Sequence, residues 1–107
     1  MEETEKSRPI DEPIFEEKTV RELSDLIASI SDKDFMYDLF GCLFTPAELK
    51  DFGNRWKLVK ALDAGKKQRE ISKELSMSLC NITRGARELK KENSAFKKLL
   101  EIYKKDN

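Results

Sequence analysis

The stretch Gln68-Arg69-Glu70-Ile71-Ser72-Lys73-Glu74-Leu75-Ser76-Met77-Ser78-Leu79-Cys80-Asn81-Ile82-Thr83-Arg84-Gly85 decides the fold. It reads as two short helices joined by a tight turn. Ile71 and Leu75 lie four residues apart on the first helix, and Ile82 follows on the second, so the three supply a small apolar core between them. Ser72 is small where the second helix passes close. Ser76 stands where such a turn often demands a left-handed backbone, which costs a non-glycine residue about 1 kcal/mol. Ser78 is a good N-cap, because its hydroxyl oxygen can accept an orphan N–H of the next turn. The pattern is a helix-turn-helix at about residues 68–91.

Outward from it, the chain continues as helices. Thr45-Pro46-Ala47-Glu48 is a capping box with proline at the first helical position. It opens the longest helix, which carries Leu49, Phe52, Trp56, Val59 and Leu62 and stops at Gly65. Thr19 and Glu22 form another box, and Val20, Leu23, Leu26, Ile27 and Ile30 predict a first helix over about 20–30. Ser31 or Asp32 caps a second helix with Phe35, Met36, Leu39, Phe40 and Leu43, which Gly41 is expected to weaken. Asn93 or Ser94 caps a last helix with Phe96, Leu99, Leu100 and Tyr103. Six helices with short joints and no strand pattern make an all-α chain. Residues 1–17, with Pro9, Pro13 and many charges, read as a disordered acidic arm, and 18–107 as the helical domain.

Hydrophobic residues make up 38% and charged residues 39% of the 107. A compact domain this short hides only about two thirds of the surface its unfolded chain exposes. Helices with wide apolar stripes therefore gain by burying them in a partner subunit. No segment approaches the ~20 apolar residues of a membrane span, and no charged-then-apolar leader opens the chain, so the expected compartment is the cytoplasm. Cys42 and Cys80 are the only cysteines and there is no histidine. Two distant cysteines without other ligands hold no zinc, so no metal is expected and both read as buried or half-buried thiols. Without histidine, the commonest general base, and without a phosphate loop or nucleophile motif, an enzyme is not expected.

The net charge of zero is a cancellation. Residues 1–17 hold seven acids against two bases, whereas residues 65–91 hold eight bases against three acids. Such asymmetry steers a protein toward a phosphate backbone. The acidic arm is either a plain solvated leader or a competitor for the basic face. In a helix-turn-helix the N-terminal end of the second helix enters the major groove, which here presents Ser78, Leu79, Cys80, Asn81, Thr83 and Arg84. Asn81 suits adenine, and Leu79 or Cys80 a thymine methyl. Gln68, Arg69, Lys73 and Lys90 suit phosphates, which position without specifying. The other reading of the same hairpin is a surface for protein contacts.

Leu43-Phe44-Thr45-Pro46-Ala47-Glu48, Gly53-Asn54-Arg55-Trp56, Gln68-Arg69-Glu70-Ile71 and Ile82-Thr83-Arg84-Gly85 together resemble the tryptophan repressor family. The resemblance covers about residues 20–105. It implies an intertwined homodimer of six-helix chains that binds an operator in double-stranded DNA with L-tryptophan as corepressor, to regulate genes of tryptophan biosynthesis or transport. It implies that Arg55 and Arg84 flank the indole, and that Thr45 helps hold the carboxylate. Cys42 and Phe44 would offer backbone carbonyls to the ammonium, and Gly85 would let the ligand approach the helix. A guanidinium both stacks on an aromatic face and grips a carboxylate, so arginine suits this task.

Three positions depart from the family pattern. Glu88 stands where a serine touches the ligand ammonium. It either binds that ammonium more strongly or pairs with Arg84 one turn earlier. Trp56 replaces a smaller aliphatic residue, and either fills a dimer core or narrows the pocket. The joint Gly65-Lys66-Lys67-Gln68 is short and lacks a serine cap. A pocket closed by Trp56 and an Arg84–Glu88 pair would leave a ligand-independent DNA-binding regulator.

Overall fold

The computed structural model describes residues 16–106. Six helices follow one another: α1 Glu17–Ala28, α2 Lys33–Leu43, α3 Pro46–Asp63, α4 Gln68–Leu75, α5 Leu79–Lys90 and α6 Ala95–Asp106. Among the described residues there is no strand, so the all-α expectation holds. The chain divides after Leu43 into two units, a division that falls inside the helical domain expected for 18–107. Most of the expected arm, residues 1–15, lies outside the described residues. Its last two residues do not belong to an arm, because Glu16 caps α1 and Glu17 begins it.

That cap corrects the expected start of the first helix. The N–H and O–H of Thr19 both donate to Glu16 Oε1, at 2.8 and 2.6 Å. Thr19 is thus the third helical residue, and no box forms with Glu22. The Glu16 carboxylate thus takes one orphan N–H of the first turn and also binds the Thr19 hydroxyl, which is then part of the cap rather than the cap itself. The same bonds, the side-chain one foremost, hold the Glu16 carboxyl below its ordinary pKa. The cap is therefore intact at neutral pH and is lost as pH falls through that lowered value. At the other end the helix stops at Ala28, where Ser29 Oγ donates to the Leu26 carbonyl at 2.7 Å. Asp32 caps α2, its Oδ1 accepting from the N–H groups of Asp34 and Phe35, and the helix runs through Gly41 to Leu43.

None of the described residues up to Leu43 is buried. Val20, Leu26, Phe35 and Tyr37 are 43, 59, 53 and 81% exposed. Two amphipathic helices of this length have little stability of their own, and their apolar faces are left uncovered among the described residues.

The second unit has a core. Leu58 of α3, Ile71 of α4 and Ile82 of α5 meet in it, with Ala61, Leu62, Leu75 and Met77 around them. Ile71 and Ile82 take the places expected of them, whereas Leu75 lies at the edge. The Thr45–Glu48 box closes both ways over Pro46 and starts α3. Gly65, at φ 85°, turns the chain out of α3. Ser78 Oγ accepts from the Asn81 N–H and caps α5, and Ser94, buried, caps α6 by accepting from the Lys97 N–H. The last helix buries Leu100 and is tied to α3 by an edge-on contact of Trp56 and Tyr103 at 5.5 Å and by Lys104 to Asp63 at 2.7 Å. Lys60 Nζ lies 5.6 and 5.5 Å from the two ring centres.

The turn between α4 and α5 has the strained residue the sequence foretold. Ser76 ends α4 at φ 50°, ψ 45°, the left-handed region. Ser72 does more than stay small, since its hydroxyl donates to the Met77 carbonyl at 2.7 Å and its own carbonyl accepts from Met77 N–H. Those bonds hold the turn against the strain at Ser76. Replacing Ser76 by glycine removes the steric cost. Ser76→Gly is expected to raise stability by about 1 kcal/mol, read from urea unfolding of both proteins at one chain concentration. An unchanged midpoint would show that the turn is relaxed.

Candidate DNA-reading surface and adjoining cleft

At about 100° per residue, α5 divides into three stripes. Ile82 and Gly85 are buried and face α3. Asn81, Arg84 and Glu88, spaced by three and four, line a cleft. Leu79, Cys80, Thr83, Arg87 and Lys90 fall on the remaining stripe, and all are exposed. Ser78 sits at the N-terminal end as the cap. On α4, Gln68, Arg69 and Lys73 are exposed, and Thr83 Oγ1 makes a long 3.5 Å contact with Gln68 Oε1. The candidate base-reading residues thus share an exposed helix end, except that Asn81 and Arg84 turn toward the cleft. Arg87 joins the outward stripe by its phase, a position legible from its spacing of four from Thr83.

The two cysteines correct an expectation. Both Cys42 and Cys80 are exposed. Cys42 lies on a helix of the unit that buries nothing, and Cys80 lies on the outward stripe of α5. Among the described residues no group of histidine, cysteine or carboxylate side chains is arranged to hold a metal ion.

The cleft has a volume of about 550 Å³, within the roughly 300–1,000 Å³ of small-molecule sites. Asp51, Asn54, Arg55, Leu58 and Val59 line it from α3, and Asn81, Arg84, Gly85 and Glu88 from α5. Its remaining wall is the turn itself, Leu75 to Ser78, with Phe96 of α6. Arg55 and Arg84, singled out far apart in sequence, therefore meet at one site. Asp51, Asn54 and the turn residues were not anticipated. Asp51 lies four residues before Arg55, so its share of the cleft follows from helical spacing once Arg55 is placed.

Gly85 has a different immediate role from the one expected. A Cβ there would stand 2.7 Å from Leu58 Cδ2. The missing side chain first lets α5 close onto α3, and its place at the cleft follows from that approach. Thr45 and Phe44 do not line the cleft. Thr45 caps α3, and Phe44 packs edge-on against Phe52 at 4.6 Å. Thr45 precedes Arg55 by about 15 Å of helix at 1.5 Å per residue. Cys42 belongs to α2 in the first unit.

Neither device that would close the cleft is formed. Glu88 pairs with Lys91 at 3.1 Å and not with Arg84. Trp56 is engaged with Tyr103 and does not line the cleft. The short joint after α3 leaves α4 without a side-chain cap at Lys67, while Lys66 Nζ donates to both oxygens of Glu74, at 2.8 and 3.0 Å. That hydrogen bond, with the carboxylate's charge, raises the Lys66 pKa. Lys66 thereby has an anionic partner within the chain, as the exposed Lys91 has in Glu88. Lys67, Arg69, Lys73, Arg84, Arg87 and Lys90 are left without a salt bridge among the described residues.

A strained turn between two short helices, an exposed basic helix end and a cleft behind them define a helix-turn-helix DNA-binding regulator. The Trp repressor protein family matches residues 18–104, and the chain belongs to that family, whose members regulate transcription and are not enzymes. It is 34% identical over 77 residues to a Trp operon repressor homolog of Chlamydia trachomatis serovar L2, covering 71% of this chain and 82% of that one. A Trp operon repressor homolog of Chlamydia caviae is 32% identical over 77 residues, covering 71% of this chain and 76% of the relative. No solved structure gives a significant match. No helix among the described residues is long and apolar enough to cross a membrane.

Two outcomes follow from this geometry. Gly85→Ala gains about 1 kcal/mol of helix propensity but overpacks buried Leu58, at a cost of about 1–3 kcal/mol. A net loss of about 1 kcal/mol is expected in urea unfolding, and a net gain would show that Leu58 yields freely. In DNA titrations across salt concentrations, Lys73→Ala should flatten the slope of log affinity against log salt by about 0.9. Lys66→Ala should leave that slope unchanged, because Lys66 is held by Glu74.

Proposed function

We propose that this chain is a homodimeric transcriptional repressor that uses L-tryptophan as corepressor, acting in the cytoplasm on genes of tryptophan biosynthesis or transport. The observation that carries this reading is that Arg55 and Arg84 line one cleft whose wall is the helix-turn-helix turn. An indole between two guanidinium planes gains cation–π contact on both faces, and either guanidinium can bind its carboxylate. An occupant there touches Ser76, Met77 and Ser78, the residues that set the angle of α5. Ligand binding then favours the DNA-competent placement of α5, by no more than the ligand's preference for that placement.

The homodimer completes the site. Thr45 stands a long way down α3 from Arg55 within one chain, so a second copy brings its Thr45 hydroxyl, with the carbonyls of Cys42 and Phe44, to the carboxylate and ammonium. Thr45 Oγ1 accepts a bond from Glu48 N–H, which leaves its O–H proton to donate. The uncovered apolar faces of α1 and α2 give that second copy a surface to bury. Leu79, Cys80, Thr83 and Arg87, with Ser78, Asn81 and Arg84 at the helix end, read bases and adjoining phosphates, while Gln68, Arg69, Lys73 and Lys90 hold the backbone.

Titration with L-tryptophan by calorimetry tests the proposal. Binding is expected, with stabilisation of about 2.7 kcal/mol at a ligand concentration 100 times the dissociation constant, and with operator affinity that rises with the ligand. Absence of heat and of any thermal shift at millimolar L-tryptophan, with unaltered operator binding, would overturn the corepressor role and leave a ligand-independent regulator.

A further inference from the structure

The cleft carries two charges of each sign, one acid and one arginine on each helix. On α3 Asp51 precedes Arg55 by four residues, and on α5 Arg84 precedes Glu88 by four; all four line the same cleft. That spacing ordinarily lets an acid and an arginine pair along one helix. Here neither pair forms among the described residues. Glu88 takes Lys91, and Asp51 and Arg55 take no salt bridge. The Glu88–Lys91 pair is itself on the surface, both side chains being nearly half exposed, so it is weak and readily exchanged.

We infer that Asp51 is a specificity-determining residue, which with Glu88 forms an anionic subsite for the ligand's ammonium and restricts the cleft to zwitterionic aromatic amino acids. This rests on the ligand reading above and extends it. A zwitterion matches the arrangement charge for charge, its carboxylate on a guanidinium and its ammonium at the acids. A ligand that keeps the carboxylate and indole but lacks the ammonium still meets the arginines, but it leaves Asp51 and Glu88 without a cation and gives the four-charge cleft a net negative charge. A ligand that lacks the carboxylate leaves the arginines without their anion.

Calorimetric titration of the full chain with L-tryptophan, indole-3-propionate and tryptamine tests the inference, on the wild type and on Asp51→Asn, Asp51→Glu and Glu88→Gln. Asp51 is exposed, and thermal unfolding of each variant checks that it is folded. In the wild type, indole-3-propionate should bind at least about tenfold more weakly than L-tryptophan, as befits loss of a charged hydrogen bond. Asp51→Asn should weaken L-tryptophan about tenfold and leave indole-3-propionate unchanged or tighter. Glu88→Gln should shift the ratio the same way, and Asp51→Glu should keep the wild-type preference. Equal binding of the two ligands to the wild type, or an equal loss for both in Asp51→Asn, overturns the inference while the corepressor reading stands. Failure of all three ligands to bind overturns that reading, and this inference with it.

Discussion

The close approach of α5 to α3 at Gly85 governs the second unit. The space a Cβ would need at Gly85 is taken by Leu58, one of the three residues at the centre of the core. Arg84 and Glu88 flank Gly85 on α5, and Arg55 lies one turn before Leu58 on α3. The contact that buries Leu58 and Ile82 therefore also sets Arg84 across from Arg55. It fixes the phase of α5 as well, so that Leu79, Cys80, Thr83 and Arg87 turn outward. Packing, cleft and reading surface share one cause, and a larger residue at position 85 would disturb all of them together.

Much of this was legible in the sequence because it depends on local chemistry. Thr45, Pro46 and Glu48 gave the start of α3, Ser78 that of α5, and Ser76 the left-handed turn, since caps and turns act over three or four residues. The family resemblance by itself pairs Arg55 with Arg84. The misses arose where two local solutions compete or where distant elements meet. Glu16 outcompetes Thr19 as a cap because its carboxylate accepts both the N–H and the O–H of Thr19. The cysteines looked like interior thiols by composition, but burial depends on what covers a helix, and none of the described residues of the first unit buries Cys42. Asp51 and Asn54 were overlooked because a cleft wall is defined by the phase of one helix against another.

The two units differ in how they hold themselves together. All the buried apolar residues among those described lie after Leu43, and three interactions of different kinds fasten α6 to α3. Among its described residues the earlier unit has well-formed caps and no buried side chain. Its helices are specified locally but not stabilised locally, which is the condition of a segment whose folding is completed by association.

The brevity of α4 has a consequence of its own. It has eight residues, well short of the roughly 12–15 at which an isolated helix becomes marginal in water. It runs between two left-handed residues, Gly65 and Ser76. Only Ile71 of its residues is fully buried, with the Lys66–Glu74 and Ser72–Met77 bonds at its ends. Such a segment, held by one core residue, is expected to exchange its amide protons earlier than α3. Opening it would release Gln68, Arg69 and Lys73 from the surface and Leu75 to Ser78 from the cleft wall in a single event. An occupant of the cleft and a duplex on the surface would then each oppose the same local unfolding, so that each would strengthen the other with no change in the folded shape.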